Sequence, residues 1–302
     1  MNTKPLSMGL AIAALVLVGV PACTGSAGGE RFTFEAFAAG PARDGDGALR
    51  FENDVGFDIT LEQARFTLGP VYLNSAVPNS GNQYGAATEG TLGFWRRRLA
   101  PLGVRSAHAH AVGDGRVIGE ILSQITVDLS SSLPVAFPTL GVAVNERVRT
   151  LDVLFSPPPG VPPESQKTPT AVLSVSGVAR RDGVDVAFSG ELVLDDTWLT
   201  NVSPGTPGRQ SIADIRSAKG IRADFVPGAG GRLLMRIDPR RLFDGCDFSR
   251  LGDNPTAPGD PGRKLLVQSK SGSLGTDQVM RNLYSNLRQS TGTYEVNWTN
   301  PE

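Results

Sequence analysis

Apolar and polar residues alternate over much of the chain, the period-two pattern of strands with one face on a core and the other in water. Phe32 and Phe34 begin it. Phe57, Ile59 and Leu61 alternate, the phase slips by one, and Ala64, Phe66 and Leu68 alternate again. A one-residue slip inside a long strand predicts a β-bulge. Ile125, Val127 and Leu129 form another run, as do Leu151, Val153 and Phe155. Ala171, Leu173 and Val175 lead up to Arg181-Asp182-Gly183, and Val184, Val186, Phe188, Leu192 and Leu194 lead away. Asp-Gly suits a two-residue turn in which both positions need φ > 0, so a hairpin is expected here. A second hairpin is expected from Ile221, Ala223 and Phe225, across Pro227-Gly228-Ala229-Gly230-Gly231, to Leu233, Met235 and Ile237. Tyr294, Val296 and Trp298 predict a last strand.

One helix is expected late in the chain, where Val279, Met280, Leu283, Tyr284 and Leu287 recur at three-to-four spacing behind the N-cap candidates Thr276 and Asp277. A shorter helix is expected over Ser211 to Ala218. Long punctuated loops separate these elements: Asn74 to Arg105, Pro157 to Pro163, and the stretch holding Pro255, Pro258, Gly259, Pro261 and Gly262. The pattern predicts an all-β fold, an antiparallel β-sandwich with long loops and one C-terminal amphipathic helix, built as a single domain over 30–302.

Composition agrees with a turn-rich globular chain, with 36 Gly and 22 Pro among 302 residues and 40% hydrophobic residues. Lys and Arg number 29 against 30 Asp and Glu, for a net charge of −1. Such a balance argues against a globally basic nucleic-acid binder, so no nucleic-acid partner is expected. Two His and two Cys exclude a three-imidazole site and a four-thiolate zinc or iron–sulfur site.

The first residues read as an export signal: Lys4, then an apolar run from Leu6 to Val20 that is too short for a lasting membrane span. The run ends in Val20-Pro21-Ala22-Cys23, which resembles the lipobox of bacterial lipoproteins. Ala22 and Cys23 fit that pattern, while Val20 and Pro21 stand where Leu and a small residue are usual. The resemblance implies a signal over 1–22, lipidation of Cys23, and a flexible tether over 23–29. The partner it implies is a membrane, held through the N-terminal lipid. By the same resemblance, Thr24 in place of Asp favours the outer membrane, with the domain facing the periplasm or the surface. Lipidation of Cys23 leaves Cys246 without an intrachain disulfide partner.

The most suggestive chemistry is Ala107-His108-Ala109-His110. In an extended segment, alternate side chains share a face, so both imidazoles reach one metal ion. Imidazole suits copper and zinc. Further ligands are expected among Asp114, Glu120 and Asp128, or from Met235 and Cys246 as soft alternatives. Four further features carry weaker signals. Asp44-Gly45-Asp46-Gly47 opens like a calcium loop, but Ala48 and Leu49 break that pattern. Phe94-Trp95-Arg96-Arg97-Arg98 is a basic-aromatic cluster suited to lipid headgroups or an anionic glycan. Acidic neighbours make Cys246 a poor nucleophile. Ser271-Gly272-Ser273-Leu274-Gly275 departs from a nucleophile elbow at its first position. The expected function is therefore a non-enzymatic, lipid-anchored envelope protein that binds copper or zinc through the His-x-His pair. Its rivals are an envelope interaction module without metal and a hydrolase working with paired carboxylates.

Phe57-Asp58-Ile59-Thr60-Leu61, Leu68-Gly69-Pro70-Val71-Tyr72-Leu73, Ala107-His108-Ala109-His110 and Ile237-Asp238-Pro239-Arg240-Arg241 together resemble uncharacterised lipoproteins of myxobacteria and their relatives. More distantly, the layout is similar to the periplasmic copper-binding proteins of the methanobactin-binding (MbnP-like) group. That likeness implies a secreted β-sandwich with a His-based metal site. This chain lacks the group's second, distant His and a Trp two residues before a His.

Overall fold

The computed structural model describes residues 30–43, 48–76, 117–155, 171–194, 216–267 and 277–301. The fold is all-β, with a single α-helix among the described residues, in one large sheet that does not close into a barrel.

Its spine is β3, the 17-residue strand Asp58–Asn74. Along one edge of β3 lie, in turn, β2 (Leu49–Glu52), β5 (Ile125–Asp128) and β4 (Val117–Ile121). Along the other lie β9 (Ala171–Arg181) and then β8 (Val148–Phe155). The core face of β3 is Ile59 and Leu61, then Ala64, Phe66 and Leu68, then Val71 and Leu73, all buried. Two slips in register produce those three phases. The first falls between Leu61 and Gln63 against β9, where the alternation predicts it. The second falls between Leu68 and Val71 against β8. At this second slip Gly69 has φ of 112°, and a Cβ there would stand 2.3 Å from the Ser123 carbonyl oxygen. Only glycine fits both constraints.

The Asp-Gly hairpin forms as expected: β9 turns at Asp182 (φ 54°) and Gly183 (φ 76°) into β10 (Val184–Val193). The second expected hairpin does not form. β11 (Ser217–Phe225) pairs with β8, whereas β12 (Arg232–Ile237) pairs with β1 (Arg31–Ala39) and with β15 (Tyr294–Thr299). The glycine turn is present, with Gly231 N–H donating to the Gly228 carbonyl at 3.2 Å, but it carries the chain between two regions of sheet. Trp298 lies where the two regions meet. Its ring stacks on Phe225 of β11 at 5.1 Å and meets Phe34 of β1 edge-on at 5.3 Å. The three rings pack together there, Phe34 buried and Phe225 and Trp298 half-buried.

Two pairings, β1 with β12 and β10 with β14 (Asp260–Leu265), are parallel, so the sheet is mixed rather than purely antiparallel. β1 also pairs with β6 (Val135–Ala136) and β7 (Gly141–Val144), and β7 pairs with β4. Of the short helix expected over Ser211 to Ala218, Ser217 and Ala218 belong to strand β11. The proline-rich stretch after Pro255 holds a small hairpin, β13 (Thr256–Ala257) with β14.

The late helix, α1 (Gln278–Leu287), is capped by Asp277, whose carboxylate accepts the Met280 N–H at 2.7 Å. Val279, Met280, Leu283 and Leu287 face the core as predicted. Around α1 the chain makes two 3₁₀ turns, Pro239–Phe243 and Phe248–Leu251, with Phe243 and Phe248 packed on Phe188. The intervening buried carbonyls need donors in a place without water. Asn53 donates to Phe243 and Cys246, and Asn286 donates to Leu242 and Asp244.

Candidate functional site

Of the expected metal ligands, the described residues include Glu120, Asp128, Met235 and Cys246; His108, His110 and Asp114 lie outside them, as does the expected lipidation site Cys23. So do the calcium-like turn at Asp44, the Phe94–Arg98 cluster and the Ser271–Gly275 stretch. Glu120 is the fourth of the five residues of β4, the first described strand after the His108–His110 segment. The two ends of that segment are held side by side, because Asn74 of β3 is the register partner of Val117 of β4.

Glu120 faces Tyr72 across β3 and β4, and Tyr72 faces Asp152 across β3 and β8. Directly opposed residues point to the same side of a sheet. Glu120, Tyr72 and Asp152 therefore form one row, while Val71, Leu73, Ile121, Leu151 and Val153 point the other way into the core. Burial, and then the Glu120 charge, push the Tyr72 phenol above its ordinary value.

Asp152 is the most constrained member. Its carboxylate accepts the Gly220 N–H at 2.8 Å and a hydrogen bond from the Asn74 side chain, with Lys219 adjacent in charge. Burial outweighs these and pushes its pKa above the usual carboxylate range. Gly220 is available because β11 shifts register between Ala218 and Ile221, with Gly220 at φ of 70°. The bulge turns an amide away from the strand ladder and toward the carboxylate. Asp152 lay hidden from sequence reasoning. Its position in the Leu151–Phe155 alternation marks it as off the core, but Gly220 is 68 positions away.

The row can lend a carboxylate or a phenol to a cation held from above. It does not pair its two acids, since Tyr72 stands between strands that are each about 4.8 Å apart. The other expected ligands have structural roles. Asp128 is exposed, and its Oδ1 accepts both the amide and hydroxyl of Ser130 at 2.9 and 2.6 Å, closing a turn. Met235 is buried in β12 between Ala38 and Val296. Cys246 is buried beside α1, and its thiol is pushed far up by burial and then by the charges of Asp54, Asp277 and Asp244. A thiol held protonated is a poor ligand and nucleophile. Among the described residues, no group of three or more His, Cys, Asp or Glu is placed to hold a metal ion.

A shallow cleft of about 160 Å³ lies elsewhere, lined by Pro41, Arg236, Asp238, Arg240, Thr293 and Glu295 among others. Its arginines are engaged. Arg240 grips Asp238 through two nitrogens, and Arg236 donates to the carbonyls of Gly40 and Ser132. With Glu295 also on its wall, the cleft is no anion trap.

Comparison of the chain with protein-family models, with curated proteins and with solved structures returns no match.

Proposed function

We propose that this protein is a lipid-anchored component of a bacterial cell envelope that binds copper or zinc, without catalysis, through His108 and His110. The observation that carries the reading is the placement of the chain's two histidines two residues apart. Scattered positions are the random expectation, and alternation on one strand face is the arrangement that lets two imidazoles share an ion. The fold supports it by bringing the two ends of the segment together at the Asn74–Val117 pair, and Glu120 is the first described carboxylate along the chain after the segment. Lipid anchoring rests on the apolar run ending at Cys23.

The test is a thermal melt of the chain from residue 24 onward, with and without Cu(II) or Zn(II). An ion bound by the native state alone raises the midpoint by mass action. Imidazole ligates only when unprotonated, so the shift should be present at about pH 7.5 and lost at about pH 5, either side of an ordinary histidine value near 6.5. Cu(II) should exceed Zn(II) by the usual affinity order. His108→Ala/His110→Ala should abolish the shift. An unmoved wild-type midpoint, or an equal shift in the double variant, overturns the metal reading and leaves an envelope interaction module.

A further inference from the structure

We infer that the end of the sheet where β1 begins lies against the membrane, presenting Arg31, Arg147, Arg149, Arg222 and Val226 to anionic lipid headgroups. The inference rests on the lipid anchor proposed above and adds an orientation and a contact surface to it.

Topology defines the two ends. Arg31 of β1 pairs with Val144 of β7; β7 pairs with β4, and Val117 of β4 pairs with Asn74 of β3. The start of β1 and the end of β3 therefore share one end of the sheet. The β7–β8 turn at Asn145–Arg147 and the β11–β12 turn after Phe225 are there too, since Phe225 pairs with Val148. The opposite end holds the start of β3 and the tip of the β9–β10 hairpin, because Asp58 pairs with Arg180. A 17-residue strand separates the ends by roughly 50 Å.

The tether is short on that scale. Residues 24–30 separate Cys23 from Arg31, a reach of at most about 29 Å when fully extended and about 15 Å for a flexible chain. A lipid at Cys23 brings the β1 end to the bilayer and leaves the hairpin tip outside its reach in an upright molecule.

Charge decides between upright and lying flat. At the β1 end Arg31, Arg147, Arg149 and Arg222 are exposed, and Arg147 and Arg149 share one carboxylate, Asp224, at 2.6 and 3.7 Å. Among the described residues Glu30 and Glu146 are the other acids at the rim, and Glu120 lies further in, in register with Val142. Val226, Val142 and Val117 are 48%, 40% and 39% exposed at this end, apolar contacts suited to a headgroup layer. At the far end Glu52, Asp54, Asp58, Asp182 and Asp185 outnumber Arg50, Arg180 and Arg181. Asp244 and Asp247 join them, through the Gly245 amide on Asp54 and Arg181 at 3.7 Å from Asp247, and they bring Arg241 and Arg250, which pair with them at 3.5 and 3.7 Å. Among the described residues the tether rim carries four arginines against three acids, and the far end seven acids against five arginines. An anionic surface attracts the first end and repels the second within about 10 Å, so the upright pose wins.

The experiment uses the full-length lipidated protein in vesicles of phosphatidylglycerol and phosphatidylcholine. A fluorophore is placed on Val226→Cys or, in a second sample, on Val184→Cys at the hairpin tip, which is 63% exposed. Cys246 is buried and takes no label in the native state. Headgroup-attached nitroxide should quench the probe at 226 several-fold more than at 184. The excess should shrink in 0.5 M salt (about a 4 Å screening length) and in Arg31→Glu/Arg149→Glu. Equal quenching at both positions in vesicle-bound protein overturns the orientation while the anchor stands. An excess that persists unchanged in phosphatidylcholine alone overturns the role of the arginines. Flotation with vesicles is scored first. Wild type that does not float, or Cys23→Ser that still carries lipid, overturns the anchor and this inference with it.

Discussion

A carboxyl pressed against a sheet needs its charge answered, and Asp152 draws on the Gly220 amide, Asn74 and Lys219. Because burial still raises its pKa in the folded state, the folded protein holds that proton more tightly than the unfolded chain does. The resulting stabilisation is complete below the ordinary carboxylate value near 3.9 and fades as pH rises through the raised folded value. At neutral pH the ionised group is a net cost. Asp152→Asn keeps an oxygen for the Gly220 N–H and carries no charge. Its melting temperature should match wild type in acid and exceed it at pH 7, in melts from pH 3 to 8. Asp152→Ala leaves the bulge amide without an acceptor and should cost about 1–3 kcal/mol in urea unfolding. Alternation along β8 makes the solvent-side placement of Asp152 legible. What answers its charge is not, because no local pattern marks the β11 bulge that aims Gly220 at it.

Elements governed by nearby residues were legible, and those governed by distant contacts were not. The β9–β10 turn is set by Asp182 and Gly183, and the α1 start by Asp277, all within a few positions of the structure they control. The β11–β12 turn looks equally local, yet β11 pairs with the distant β8, and Phe225 stacks on Trp298 far along the chain. The first phase slip in β3 was readable because apolar residues continue on both sides of it. The second was masked by Gly69-Pro70, which carries no alternation of its own. Asp277 is also more than a cap. One oxygen takes the Met280 amide, and the other takes the Val267 amide at 2.6 Å and Asn254 at 3.1 Å. Asp277→Ala should therefore cost more than the roughly 1 kcal/mol of an isolated cap, about 2 kcal/mol in chemical denaturation. Asp277→Asn, which keeps an acceptor, should recover part of it. A loss in Asp277→Ala below about 0.5 kcal/mol would show that the helix start is held by packing of Val279 and Met280 alone.

For the molecule as a whole, the sheet and the proposed metal pair separate cleanly in the chain. Asn74 and Val117 are ladder neighbours, so β3 and β4 need only a tight turn between them, whatever else residues 77–116 do. Shortening a connection about ten-fold relieves roughly 2 kcal/mol of loop-closure entropy. Replacing residues 77–116 by a short Gly-containing turn, with Ala76 kept because its carbonyl accepts the Thr150 hydroxyl at 2.9 Å, should leave a folded protein. Its midpoint should be equal to or above that of wild type. The same variant lacks His108 and His110, so Cu(II) and Zn(II) should no longer move its melt at pH 7.5. The two readouts answer different questions. A folded variant blind to metal assigns the ion to the excised segment. A folded variant still stabilised by Cu(II) moves the site onto the sheet, where Glu120, Tyr72 and Asp152 are the first residues to substitute. A variant that fails to fold shows that the segment contributes to the core, and the histidines are then tested by His108→Ala/His110→Ala in the intact chain.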